Sequence, residues 1–188
     1  LGKGNFAKVY KVKSRITEKD YAAKVFEKKE VQKAAKFRKT LLSEIKIMRM
    51  LDHPYIMKLH QVYEGEQHIY LLFDLLQGKE LFQRVVQRTR YSEKNAAIVI
   101  KKMMEAMRYL QSKGVLHRDI KLENILLESE EDDCSVVLGD FGLAMLMSEY
   151  DPKVRCGTPG YVAPEVLNNQ NYEYKSDIFS LGAALFIL

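Results

Sequence analysis

The chain has 188 residues, of which 47% are hydrophobic and 29% charged, so it can bury a core of its own and is neither a disordered nor a fibrous sequence. Its net charge of +5 admits nucleic acid, acidic lipid or an acidic substrate as partner, but the charge is unevenly placed. Residues 1–58 carry 16 Lys and Arg against 6 Asp and Glu, whereas residues 59–188 carry 14 against 19, a cationic front on an anionic back.

Two cysteines, Cys134 and Cys156, and no signal-like leader argue against a disulfide framework and predict a reducing, intracellular setting, the cytoplasm by default with the nucleus left open. The longest apolar stretch, Ile178 to Leu188, falls short of the roughly 20 residues that a membrane span requires. There is no initiating Met, and the apolar helical pattern reaches Leu188 without a cap or breaker, which predicts a C-terminally truncated piece of a longer protein.

In chain order, Val9, Tyr10 and Val12 and then Tyr21 to Phe26 predict two paired strands joined by the polar turn Ser14 to Asp20. Leu41, Leu42, Ile45, Met48 and Leu51 recur every three or four residues and predict one helix over Lys36 to Leu51, closed by His53-Pro54. Met57 to Tyr63 and His68 to Phe73 alternate as two further strands, with Gly65 in the turn. From Gly78 the pattern becomes helical. Ser92 is the expected N-cap of a helix carrying Ala96, Val99, Ile100, Met103, Met107 and Leu110, with Gly114 as its stop. Short apolar runs at Val115-Leu116, Ile125 to Leu127 and Val136 to Leu138 predict small strands around polar loops, and the acidic run Glu128 to Asp133 reads as a solvated hairpin tip.

The loops carry the chemistry. Gly2-Lys3-Gly4-Asn5-Phe6-Ala7 sets two glycines before a strand, where bare backbone can approach a phosphate, although taken alone it reads more readily as a hairpin turn. Lys24 lies on an apolar strand and needs a carboxylate or phosphate to hold its charge, and Glu44 on the helix stripe can be that carboxylate. His117-Arg118-Asp119-Ile120-Lys121-Leu122-Glu123-Asn124 packs an acid, a lysine and an amide into six residues. Phosphoryl transfer to a hydroxyl needs such a set: Asp119 to accept the proton, Lys121 to neutralise the phosphoryl group, Asn124 to offer an oxygen to a divalent ion. Asp140-Phe141-Gly142 adds a second hard oxygen ligand.

Taken in order, with Ala163-Pro164-Glu165 and Asp177 following, these motifs resemble the eukaryotic protein kinases over all 188 residues. The resemblance implies an α+β, bilobal fold: a small antiparallel β lobe with one helix over residues 1–75, and a larger, mostly helical lobe over residues 76–188. The latter would end in the helix that starts near Asp177. It implies ATP and Mg2+ as cofactors, with Asp119, Lys121, Lys24 and Glu44 catalytic and Asn124 and Asp140 as metal ligands. ATP would meet Leu1, Gly2, Gly4 and Lys24, with adenine between Val9 and Ala22 above and Leu126 below, bonded to backbone at Asp74 and Leu76. Phe73 would guard the back of the pocket, and Glu80 would contact the ribose. Lys121 and Gly157-Thr158-Pro159-Gly160-Tyr161 resemble the serine/threonine branch, with Thr158 bonding to Asp119 and Lys121.

Gly78 to Phe82, the acidic run before Asp140 and Cys156 to Glu165 resemble the calcium/calmodulin-dependent and calcium-dependent kinases. That group implies Glu80 and Glu123 as contacts for basic residues upstream of a target Ser or Thr, and calcium or calmodulin regulation through regions outside these residues. The alternatives are a pseudokinase, an ATP-binding scaffold without transfer activity, and a nucleic-acid binder. The first is opposed by the presence of Lys24, Asp119 and Asp140, the second by the dispersal of the cations. Several positions depart from the family pattern. Ala7 stands for the third loop glycine, Phe179 for the usual Trp, and Gly139 precedes Asp140. Val154 stands where calmodulin-activated relatives often have Thr, which suggests that Arg118 pairs with a carboxylate, Glu149 or Asp151, without phosphorylation.

Overall fold

A computed structural model describes residues 2–3, 7–88, 91–150, 154–168, 170 and 173–188. Strands β1 (Gly2–Lys3), β2 (Lys8–Lys13), β3 (Asp20–Glu27), β4 (Leu59–Glu64) and β5 (His68–Asp74) form one antiparallel sheet in the order β1-β2-β3-β5-β4. The expected turn between β2 and β3 is closed by the Ser14 hydroxyl, which accepts the Thr17 N–H at 3.1 Å. Cross-strand register sets Val9 opposite Lys24 and Ala22 opposite Phe73. Because side chains alternate along a strand, Val9, Ala22, Lys24 and Phe73 share one face of the sheet.

Two helices, not one, follow β3: α1 (Lys28–Lys33) and α2 (Ala35–Met50). The first is short and strongly charged and buries only Val31, so it gives no apolar period to read. On α2 the buried side is Leu41, Glu44, Ile47 and Met48, while Leu42, expected on the stripe, is 57% exposed. A polar residue therefore sits within the buried face.

The helical part contains α3 (Leu81–Arg88), α4 (Glu93–Ser112), α5 (Pro164–Leu167) and α6 (Tyr174–Ile187). Ser92 caps α4 as expected, its hydroxyl accepting the Asn95 N–H at 3.2 Å, and Gly114 ends it with φ +68°. The three short apolar runs are strands: β6 (Val115–Leu116) pairs with β9 (Met145–Leu146), and β7 (Ile125–Leu127) pairs with β8 (Val136–Leu138). The main apolar core runs from Phe26 and Leu71 through Val99 and Leu122 to Ala184, so the sheet and most helices pack on it, and a smaller cluster joins Leu116, Ala163 and Val166. The seam includes two backbone bonds, Leu138 N–H to Tyr55 O and Met57 N–H to Leu138 O, both 2.9 Å.

The acidic run is solvated as expected at Glu128, Glu130, Glu131 and Asp132, and departs from that reading at Asp133. Asp133 is largely buried, pairing with Arg84 and, at 3.0 Å, with Arg88, while its carbonyl accepts the Tyr91 hydroxyl at 3.1 Å. Its charge anchors the hairpin to α3 instead of facing water. Among the described residues no helix is long and apolar enough to cross a membrane.

Candidate active site

Two charged clusters meet beside the sheet. In the first, β3 presents Lys24 to the buried face of α2, and Lys24 Nζ lies 2.7 Å from Glu44 Oε1 and 3.5 Å from Asp140 Oδ1. Burial opposes the lysine's charge, but Glu44 and then Asp140 outweigh it and hold Lys24 above its ordinary pKa. Both carboxylates therefore act on one ammonium.

The second cluster lies on the loop between β6 and β7. Asp119 accepts the Thr158 hydroxyl at 2.6 Å and the Asn124 amide at 3.0 Å, and lies 2.9 Å from Lys121 Nζ. Lys121 also donates to Thr158 Oγ1 at 2.8 Å, so the expected contact of Thr158 with both residues is present. Burial raises the Asp119 carboxyl, but the bonds from Thr158, Lys121 and Asn124 prevail and keep it below the usual carboxylate range. Asp119 is thus ionised at neutral pH with its lone pairs directed. Gly139 N–H donates to Asn124 O at 2.8 Å and joins this cluster to the residue preceding Asp140.

The support beneath these loops is less visible in the sequence. Asp177, buried at the start of α6, accepts the His117 N–H on one carboxylate oxygen and the Arg118 N–H on the other, both at 2.8 Å. These bonds hold Arg118 at φ +67°, a left-handed conformation costly for a residue other than glycine. The His117 ring is fully buried, contacts the Gly139 carbonyl at 3.0 Å and meets the Phe141 ring edge-on at 4.8 Å. Both loops therefore rest on one aromatic contact and one carboxylate. With 60 residues between His117 and Asp177, no local spacing announces the pair.

Of the nucleotide residues expected from sequence, Val9, Ala22, Lys24 and Phe73 share a sheet face, and backbone of Gly2 lies opposite Val9. Leu1 and Gly4 lie outside the described residues. Leu126 is bridged to Glu80 and lies 3.2 Å from where a Cβ on Gly139 would stand, which gives that glycine a steric reason. Asp74 turns its carboxylate outward to Lys19 at 3.0 Å and His60 at 2.9 Å, leaving its backbone as the part at the sheet's end. Glu80 is raised above its ordinary pKa by burial and by neighbouring Glu123, with Lys121 opposing. Glu123 Oε2 is buried without a hydrogen-bond partner among the described residues.

The expected partnership of Arg118 with a carboxylate is redirected for Glu149. Arg118 Nε donates to the Leu143 carbonyl at 2.7 Å, and Glu149 instead lies 2.7 Å from Lys46 on α2. Asp151 lies outside the described residues.

The donors suit a small, hard cation. Asp140 offers a carboxylate with 55% side-chain exposure, and Asn124, its NH2 turned to Asp119, has an amide oxygen left to give. Among the described residues no group of three or more His, Cys, Asp or Glu side chains could hold a metal by itself. A two-donor protein site fits magnesium, which is commonly bound by one or two carboxylates together with phosphates and waters.

The sequence pattern of the protein kinase domain matches residues 1–188. The chain belongs to the protein kinase domain family. It is 39% identical over its whole length to myosin light chain kinase A of Dictyostelium discoideum, and 39% to calcium/calmodulin-dependent protein kinase type 1 of Macrobrachium nipponense. Its identity to calcium-dependent protein kinase 4 of Plasmodium berghei is 40%. The chain spans 63%, 54% and 36% of the lengths of these relatives, respectively. Both the kinase fold and the group resemblance expected from the motifs are thereby borne out.

Proposed function

We propose that this kinase domain transfers the γ-phosphoryl group of ATP to Ser or Thr hydroxyls of protein substrates, with residues 1–75 as the small lobe and 76–188 as the larger one. The carrying observation is Asp119, ionised and held by Thr158, Asn124 and Lys121 within 3.0 Å. A substrate hydroxyl replacing the Thr158 hydroxyl at Asp119 would give its proton to the carboxylate, while Lys121 offsets charge on the phosphoryl group. Lys24, fixed by Glu44, would hold the non-transferred phosphates. Gly2 and Gly4 would cover the phosphates, Leu1 would also contact ATP, and adenine would lie against Val9, Ala22 and Leu126, with backbone contacts at Asp74 and Leu76. Phe73 would restrict bulky ligands. Asn124 and Asp140 would hold magnesium, which when bound neutralises phosphate charge.

Glu80 and Glu123 would receive a basic residue upstream of the acceptor, Glu80 contacting the ribose as well. The one Glu123 oxygen that lacks a hydrogen-bond partner supports this, because an incoming cation would satisfy it. The relatives' names support regulation by calcium or calmodulin through regions outside residues 1–188, and the low cysteine content supports a cytoplasmic site of action.

The test pairs nucleotide binding with radiolabel transfer from ATP to a basic Ser/Thr peptide, using the full-length protein. Magnesium-dependent label on Ser or Thr is expected. Nucleotide binding with no transfer would favour the pseudokinase alternative, and label on Tyr would contradict the acceptor assignment.

A further inference from the structure

The solvent face of α2 is a cationic surface that the chemistry proposed above does not use. Lys36, Arg38, Lys39, Lys46 and Arg49 are exposed there together with Ala35, Leu42 and Met50, so five of the exposed residues carry positive charge and none is acidic. We propose that this face docks an acidic amphipathic helix of a partner protein, with Leu42 and Met50 as its apolar contacts.

The surplus charge has no counterpart in its own part of the chain. Each of the six acids in residues 1–58 already faces a lysine that is not on this surface. Asp20, for example, meets Lys11 at 2.7 Å and Glu18 meets Lys13 at 2.9 Å. Lys46 does receive a carboxylate, Glu149 at 2.7 Å, from 103 residues away. The face therefore accepts an acid brought by a remote segment. For Lys36, Arg38, Lys39 and Arg49 the described residues supply none.

The arrangement also works against the helix that carries it. Lys36, Arg38 and Lys39 crowd the N-terminal end, where the helix dipole is positive, and neither a side-chain cap at Ala34 nor an acid in the first turn offsets them. Lys36 and Lys39, one turn apart, repel each other as well. An anionic partner relieves both effects.

Shape then selects among anions. Arg38, Leu42, Lys46 and Arg49 follow one another at spacings of four, four and three residues and form one ridge. The ridge is about 16 Å long, a length that a partner helix of three turns covers. Such a helix buries Leu42, now 57% exposed, and Met50, now 41% exposed, and brings acids on its two sides to Arg38, Lys39 and Arg49. Leu42, which has the period of a core residue, thereby gains an apolar partner. A lipid surface would require α2 to sink an apolar face into it, but Leu41, Ile47 and Met48 are already spent on the core. A nucleic acid would leave Leu42 and Met50 unused, and the face has no aromatic side chain for a base to stack on.

The experiment titrates the full-length protein by calorimetry with a helical peptide that flanks a Leu stripe with Glu, its Gln-for-Glu counterpart, phosphatidylserine vesicles and a DNA duplex. The acidic peptide should bind, less tightly as salt rises, and the Gln peptide should bind about tenfold more weakly or worse. Arg38→Gln/Lys39→Gln should weaken the acidic peptide about threefold or more, and Leu42→Ala about fivefold. The melting temperature of the double variant should hold or rise, because it relieves repulsion at the helix end. Phosphotransfer to a basic peptide should stay within about twofold in both variants, whose altered side chains are exposed. An acidic peptide that does not bind, a Gln peptide that binds equally, or undiminished binding by either variant would overturn the proposal. Vesicles or duplex that bind as tightly as the peptide and lose affinity in Arg38→Gln/Lys39→Gln would overturn it in favour of lipid or nucleic acid. Docking is read directly, so failure of phosphotransfer in the wild type would bear on the proposed function alone.

Discussion

Lys24 Nζ stands 2.7 Å from Glu44 Oε1, and this contact ties the central strand of the sheet to the buried face of α2. Asp140 shares the same ammonium at 3.5 Å, so the pair connects the sheet, the helix and the loop after β8. Replacing Glu44 by Ala leaves Lys24 with Asp140 alone. We expect a loss of about 1–3 kcal/mol in urea unfolding, below the 3–5 of a fully buried broken pair because Asp140 remains. Lys24 has a raised folded pKa, so the stabilisation it supplies is complete below its unfolded value of 10.5 and is lost as pH rises through the higher folded value. The wild-type advantage over Glu44→Ala should therefore persist at neutral pH and shrink in strong alkali. An advantage that vanished near neutrality would contradict the pairing.

Glu80 gives a prediction about acid. Its carboxyl is raised above 4.5 by burial and Glu123, so it takes up a proton before Asp119, which is held below 3.8. As pH falls, KM for a peptide with an upstream Arg should rise first, while kcat holds until lower pH. A peptide lacking that Arg should show no such rise. Steady-state kinetics in both peptides between neutral pH and the limit of folding checks this, and parallel KM profiles would remove Glu80 from substrate recognition.

Asp177 predicts a stability effect without direct contact with substrate. Asp177→Ala leaves the buried N–H of His117 and the part-buried N–H of Arg118 without acceptors, at about 1–3 kcal/mol each, so a loss of about 2–6 kcal/mol is expected. Asp177→Asn retains one acceptor and should lose less. Chemical denaturation of the three proteins measures the order, and equal stabilities would contradict the clamp.

Gly139 should discriminate by size. Alanine there would meet Leu126 Cδ1 at 3.2 Å, a distance that a small shift relieves, whereas valine would push Leu126 into the space assigned to adenine. Overpacking of about 1–3 kcal/mol should then weaken nucleotide binding by roughly fivefold or more in Gly139→Val, and little in Gly139→Ala. Equal affinities in both variants, read by titration with a fluorescent nucleotide, would separate Leu126 from the adenine floor.

Local chemistry was legible where it is local in sequence. The strand pairs around Ser14 and Gly65, the Ser92 cap, and the clustering of Asp119, Lys121 and Asn124 all follow from spacing or turn residues. Thr158 was placed correctly by the family pattern, 39 residues from its partner. What escaped is tertiary. Leu42 has the period of a core residue but the α2 face that packs includes Glu44, because Lys24 supplies its counter-charge. α1 has too little apolar surface to announce itself. Asp133 reads as one more acid in a solvated run, yet two arginines on α3 bury it, and Glu149 meets Lys46 across 103 residues. The last two misses are charges whose partners are remote in the chain.

The central claim is that Asp119 accepts the proton of a Ser or Thr hydroxyl during phosphoryl transfer. The direct measurement is the single-turnover rate of phosphotransfer to a basic peptide by the full-length protein and by Asp119→Ala, with nucleotide affinity determined on both. Loss of the carboxylate should lower the rate by about 10²–10⁴ with nucleotide affinity little changed. Equal rates in the two proteins would contradict the account.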